Sequence, residues 1–135
     1  MHKKVIDDPF CNNCGKVETL QHYFVDCEET RLFWNDLAQR INQKLSQRRH
    51  FIPNIKNILF GNVSTLEVVN YIILIAKQFI VFRRAREEEV VLSHFTPFLI
   101  KQFQIETVIA RKTNNMHKFE ERWAPFISQN STFDI

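Results

Sequence analysis

Residues 64–88 read STLEVVNYIILIAKQFIVFRRAREE, and the reading of this stretch decides the fold. Ser64-Thr65-Leu66-Glu67 has the form of a capping box, in which a hydroxyl and a carboxylate three residues apart satisfy backbone amides at a helix start. At about 100° per residue, Val68, Val69, Ile72, Ile75, Ala76, Phe79, Ile80 and Phe82 cover roughly half of the circumference or more. A helix so apolar packs on several sides, which predicts a central element over 64–88 with neighbours around it. Asn70, Lys77 and Arg84 recur at seven-residue steps on the remaining side, a stripe open to solvent or phosphate. Arg83 and Arg86 fall inside the apolar arc, where carboxylates or helix C-terminal carbonyls of the fold satisfy them, or RNA does.

The flanking sequence supplies the neighbours. Residues 27–45 predict a first long helix with Leu32, Phe33, Leu37, Ile41 and Leu45 along one face. Residues 46–53 break that pattern, placing Arg48 and Arg49 in a basic loop. Ile55 to Phe60 form a short apolar piece closed by Gly61. Thr96-Pro97 gives a cap followed by a first-turn proline, and Phe98, Leu99, Phe103, Ile105, Val108 and Ile109 carry a helix to Lys112. Residues 116–123 predict a last short helix stopped by Pro125, and 128–135 a frayed tail. Composition agrees. The 135 residues are 44% apolar, with 13 Phe but only 2 Gly and 4 Pro, too little turn material for a sandwich or barrel. The expected fold is all-α, an N-terminal metal corner followed by four to five helices. Residues 1–34 hold the metal-binding region, 35–127 the bundle packed on it, as one compact unit.

All three cysteines lie upstream, in the spacing C-x2-C-x7-H-x4-C formed by Cys11, Cys14, His22 and Cys27. Three thiolates and an imidazole are a standard tetrahedral set for structural zinc, and four protein ligands leave no open position for a catalytic water. Gly15 follows the C-x2-C step where a tight turn wants positive φ. Asp26 is the expected N-cap of the helix that Cys27 opens, so His22 and Cys27 bracket a corner. An odd cysteine count argues against a disulfide framework. No apolar run exceeds the six residues from Tyr71 to Ala76, short of the roughly 18 needed to span a bilayer. The N-terminal residues lack a signal-peptide pattern, so the expectation is a reducing intracellular setting, cytoplasmic or nuclear, with no membrane contact.

The metal block resembles the zinc-binding C-terminal domain of reverse transcriptases from LINE-type, non-LTR retrotransposons. The resemblance extends from Asp7-Asp8-Pro9-Phe10-Cys11 through Glu18-Thr19-Leu20, Tyr23-Phe24 and Phe33-Trp34, and more weakly to 70–80 and 119–123. It implies a module that helps a reverse transcriptase hold template RNA, without the polymerase and endonuclease domains themselves. Asp7-Asp8 resembles a polymerase aspartate pair, but Pro9 follows at once, and the pair reads as linker acids.

Three functions are open on the sequence. The first is RNA or single-stranded nucleic-acid binding, with one structural Zn2+, phosphate contacts from Lys16, Arg48, Arg49, Lys77, Arg84, Lys101, Arg111 and Lys112, and base stacking on Tyr23 or Trp34. The second is a zinc-stapled scaffold that docks on a polymerase domain, and the third an inactive retroelement fragment. A net charge of 18 minus 15, or +3, permits nucleic-acid contact without demonstrating it. No catalytic constellation stands out, so an enzyme is not expected.

Overall fold

The computed structural model describes residues 10–11, 14–45, 50–61, 66–127, 133 and 135. Among these the regular structure is helical: α1 is Glu28–Asn42, α2 Ile55–Phe60, α3 Glu67–Ala85, α4 Leu92–Lys112 and α5 Met116–Trp123. A π-type turn at His22–Asp26, a 3-10 turn at Ala124–Phe126 and two isolated antiparallel bridges, Phe10 with Val17 and Ile127 with Phe133, complete it. The all-α expectation holds.

Helix α3 is the central element because its apolar arc is too broad for one neighbour: Val68, Val69, Ile72, Ile73, Ile75, Ala76, Phe79 and Ile80 are all buried. It packs on α4 and α5. Its expected capping residues Ser64 and Thr65 lie outside the described residues, and Leu66 occupies the N-cap position. The helix stops at Ala85, short of 88. Glu87 takes a left-handed φ of +56°, and the amides of Glu87 and Glu88 turn back to the carbonyls of Arg84 (3.1 Å) and Arg83 (2.8 Å). Helix α4 ends by the same device, with Asn114 at φ +58° and the Asn115 amide 2.8 Å from the Ala110 carbonyl. Such a reversal satisfies carbonyls that the helix itself leaves unpaired.

Helix α4 begins at Leu92, not at the expected Thr96-Pro97, and Pro97 lies inside it. The earlier start brings Phe95 into the helix, with its ring fully buried, 5.4 Å from that of Phe33 and 5.2 Å from that of Phe79. Pro97 is the sixth residue of the helix and has no amide to offer the Ser93 carbonyl, so one rung of the helical ladder is lost there.

Helix α1 buries Thr30, Phe33, Trp34, Leu37, Ala38 and Ile41. Leu32, expected on that face, is 55% exposed, because one residue before Phe33 points away from an arc centred on Leu37. A second aromatic cluster joins Phe103, Phe119, Trp123 and Phe126 at the other end of the core. Phe133 belongs to it, with its ring 5.2 Å from Phe103 and 5.7 Å from Trp123. The Ile135 carbonyl accepts from Arg40 at 3.2 Å. The frayed tail expected over 128–135 is therefore tied down at these two residues. No helix of the described residues is long and apolar enough to cross a membrane.

Candidate metal centre

The corner is built by two tight local structures. In the first, the Cys11 amide donates to the Lys16 carbonyl (2.7 Å) and the Gly15 amide to the Cys11 carbonyl (2.8 Å), folding Cys14 back toward Cys11. Gly15 sits at φ +76°, and a Cβ there would meet nothing within 4 Å, so backbone conformation alone selects glycine. In the second, Thr19 starts a turn: its hydroxyl accepts from the His22 amide at 3.0 Å, and its carbonyl from the Tyr23 amide at 2.8 Å. His22–Asp26 then forms a wide π-type turn in which the Cys27 amide reaches the His22 carbonyl at 2.9 Å. Five residues per hydrogen-bonded turn bring positions 22 and 27 together, which explains the H-x4-C spacing. Cys27 is extended and caps α1, with its carbonyl accepting from Arg31 at 2.7 Å. The N-cap is thus one residue later than the expected Asp26.

These structures place one ligand atom each from Cys11, Cys14, His22 and Cys27 within 4.8 Å of one another, close enough to hold one metal ion. The three cysteines are free of disulfides. Cys11, His22 and Cys27 are buried and Cys14 is partly exposed. The Cys11 and Cys27 sulfurs are 3.8 Å apart, which matches the edge of about 3.8 Å that a tetrahedron with metal–sulfur bonds of about 2.3 Å requires. Cys14 Sγ lies 3.1 Å from His22 Nε2. The donor set and its depth fit a thiophilic cation. Burial pushes the Cys27 thiol above its usual range, so gathering thiolates here requires positive charge.

Around the donors stands a second ring of groups. Arg84 of α3 donates to Cys11 Sγ (3.0 Å), to Glu18 Oε2 (2.8 Å) and to the Tyr23 carbonyl (2.9 Å). Burial works against its charge, but Glu18, followed by the Cys11 and Cys27 sulfurs, outweighs that and holds the guanidinium above its ordinary range. Glu18 Oε1 is a buried oxygen without a hydrogen-bond partner, 4.0 Å from His22 Nε2. Trp34 Nε1 donates to the Phe24 carbonyl at 2.6 Å and ties the corner to α1.

The expected nucleic-acid contacts fare unevenly. Lys16, Lys101, Arg111 and Lys112 are exposed, whereas Arg48 and Arg49 lie outside the described residues. Arg84 is turned inward, its side chain only 8% exposed, so the stripe expected with Asn70 and Lys77 does not face phosphate at that position. Lys77 is half-buried, donates to the Leu59 carbonyl at 3.3 Å, and has its pKa lowered by burial. Trp34 is 1% exposed and cannot stack on a base. The Tyr23 ring is half-buried, with the Arg84 guanidinium 4.4 Å from its centroid. Arg83 is satisfied within the fold by the Glu89 carbonyl (2.8 Å), His94 Nδ1 (2.8 Å) and Glu88 (3.7 Å). Arg86 is exposed, its guanidinium 4.0 Å from the centroid of the Phe82 ring. Sequence reasoning named Glu18 and Thr19 within the metal block but missed their contacts, the Glu18–Arg84 pair and the Thr19 hydroxyl that accepts from the His22 amide. The available signals were their offsets, four and three residues before His22, where a side chain meets the next helical turn.

Compared with protein-family models, with curated proteins and with solved structures, the chain matches none.

Proposed function

We propose that this chain is a zinc-stapled helical binding module whose ligand is RNA, of the kind the metal block resembles at the C-terminus of non-LTR retrotransposon reverse transcriptases. The observation that carries the metal part is the convergence of Cys11, Cys14, His22 and Cys27 on one point. With four protein donors the ion is structural: it holds the corner that α1 and α2 pack against. Support for the RNA part comes from the exposed cations Lys16, Lys101, Arg111 and Lys112, together with the Arg48-Arg49 pair in the sequence. On α4, Lys101 and Lys112 are eleven residues apart, which returns them to nearly the same side of the helix, about 16 Å apart along it. The module itself carries no catalysis.

The protein-scaffold reading has its own support. Leu20, Phe24, Leu59, Leu74, Val81 and Phe82 line an apolar groove between the metal corner, α2 and α3. One titration separates the two readings. Zinc-loaded protein mixed with single-stranded RNA at two salt concentrations should bind more weakly at high salt, and the Arg48→Ala/Arg49→Ala double variant should bind more weakly at both. Salt-independent or absent RNA binding would transfer the function to the groove.

A further inference from the structure

Among the described residues, Arg84 carries a guanidinium that is only 8% exposed and is turned toward the metal corner. A divalent cation held by three thiolates and a neutral imidazole carries a net charge of about −1, in a setting that holds Cys11 and Cys27 almost fully out of water. An anionic centre there is costly without a cation and hydrogen-bond donors beside it. The fork of Arg84 supplies both. It comes from the far end of α3, lies between Cys11 Sγ at 3.0 Å and Glu18 Oε2 at 2.8 Å, and is fixed from behind by the Tyr23 carbonyl at 2.9 Å and the Tyr23 ring. Three of its five N–H donors point into the corner, and with its side chain only 8% exposed the guanidinium is turned away from any external phosphate.

We infer that Arg84 is a positioning residue of the metal centre: it donates to the Cys11 sulfur, offsets the charge of the thiolate set and clamps the corner onto α3. Glu18 orients the guanidinium between two anions. The inference rests on the metal reading above, and it makes the corner and the bundle one metal-dependent unit. Loss of an outer-shell partner of this kind typically costs about 10–100-fold in metal affinity.

The test uses the full chain. Zinc content of the wild type is measured first, since absence of stoichiometric zinc would remove the metal reading before Arg84 is touched. Affinities of the wild type, Arg84→Gln, Arg84→Lys and Glu18→Gln are then compared by competition with a chromogenic chelator, and each protein is also loaded with Co2+. Arg84→Gln should weaken zinc binding by about 10–100-fold. It should also move the sulfur-to-cobalt charge-transfer band to longer wavelength, because a thiolate that loses its donor gives up an electron more easily. Glu18→Gln, which leaves the Arg84–Cys11 hydrogen bond in place, should lose less affinity and keep the band. Arg84→Lys should fall between, and it carries the test if the Gln variant does not fold: lysine keeps the charge but cannot reach Cys11, Glu18 and the Tyr23 carbonyl together. Wild-type affinity with an unmoved band in the Arg84 variants overturns the inference. So does a Glu18→Gln variant that equals Arg84→Gln in both readouts, which would reduce Arg84 to one half of an ion pair.

Discussion

Gly15 and Trp34 show how differently single residues serve the same corner. At Gly15 the backbone alone is at issue, with φ +76° and open space where a Cβ would go. Gly15→Ala should therefore cost about 1 kcal/mol, the strain of a left-handed alanine less the offset from the lower entropy of the unfolded chain, and leave the proposed zinc stoichiometry intact. Urea denaturation of the zinc-loaded proteins measures it. Trp34 is a packing residue, wedged between Phe33 and Phe51 with its Nε1 spent on the Phe24 carbonyl. Trp34→Ala should destabilise by about 3–5 kcal/mol, seen as a lower thermal midpoint. The convergence of Cys11, Cys14, His22 and Cys27 was legible in the sequence, because metal chemistry restricts which side chains appear and at what spacing. The role of Glu18 was not, because a carboxylate beside a histidine has many ordinary reasons to be there.

At the scale of elements, interiors were easier to read than ends. Helix α5 lies where its period placed it, Met116–Trp123, and Gly61 closes α2 at φ +80° as expected. The C-terminal end of α3 falls short of 88 because the reversal at Glu87 satisfies the last carbonyls, and the start of α4 lies earlier than expected, with Phe95 buried inside it. Glu87 occupies a left-handed position that usually goes to glycine. Glu87→Gly should thus raise stability by about 0.5–1 kcal/mol in chemical denaturation, because glycine takes the left-handed conformation without the strain that glutamate incurs. The equivalent change at Asn114 should gain less, since asparagine tolerates this conformation better than glutamate does.

For the whole molecule, the corner and the bundle share one core, since Val25 belongs to the same buried cluster as Phe33, Phe79 and Trp123. Metal binding to such a site is coupled to folding. Chelation should therefore abolish hydrogen-exchange protection from the corner into the first turn of α1, and lower the thermal midpoint of the remainder. For RNA, each phosphate contact to a single strand should contribute roughly 0.7 to the slope of log affinity against log salt. Replacing Lys101, Arg111 and Lys112 together by Ala should then flatten that slope by about 2 without altering zinc content. An unchanged slope would take α4 out of the proposed RNA-binding surface. The sequence by itself determined the helical class, the central place of α3 and the four candidate metal donors, because periodicity and ligand spacing are local properties that survive whatever the rest of the chain does. Only the tertiary structure decided that Arg84 faces the thiols, that Trp34 is sealed from any base, that Leu32 faces outward and that Phe133 returns to the core. Each of those outcomes depends on which surface a distant segment covers, and a charge or an aromatic ring changes its role when a neighbour from elsewhere in the chain takes away its water.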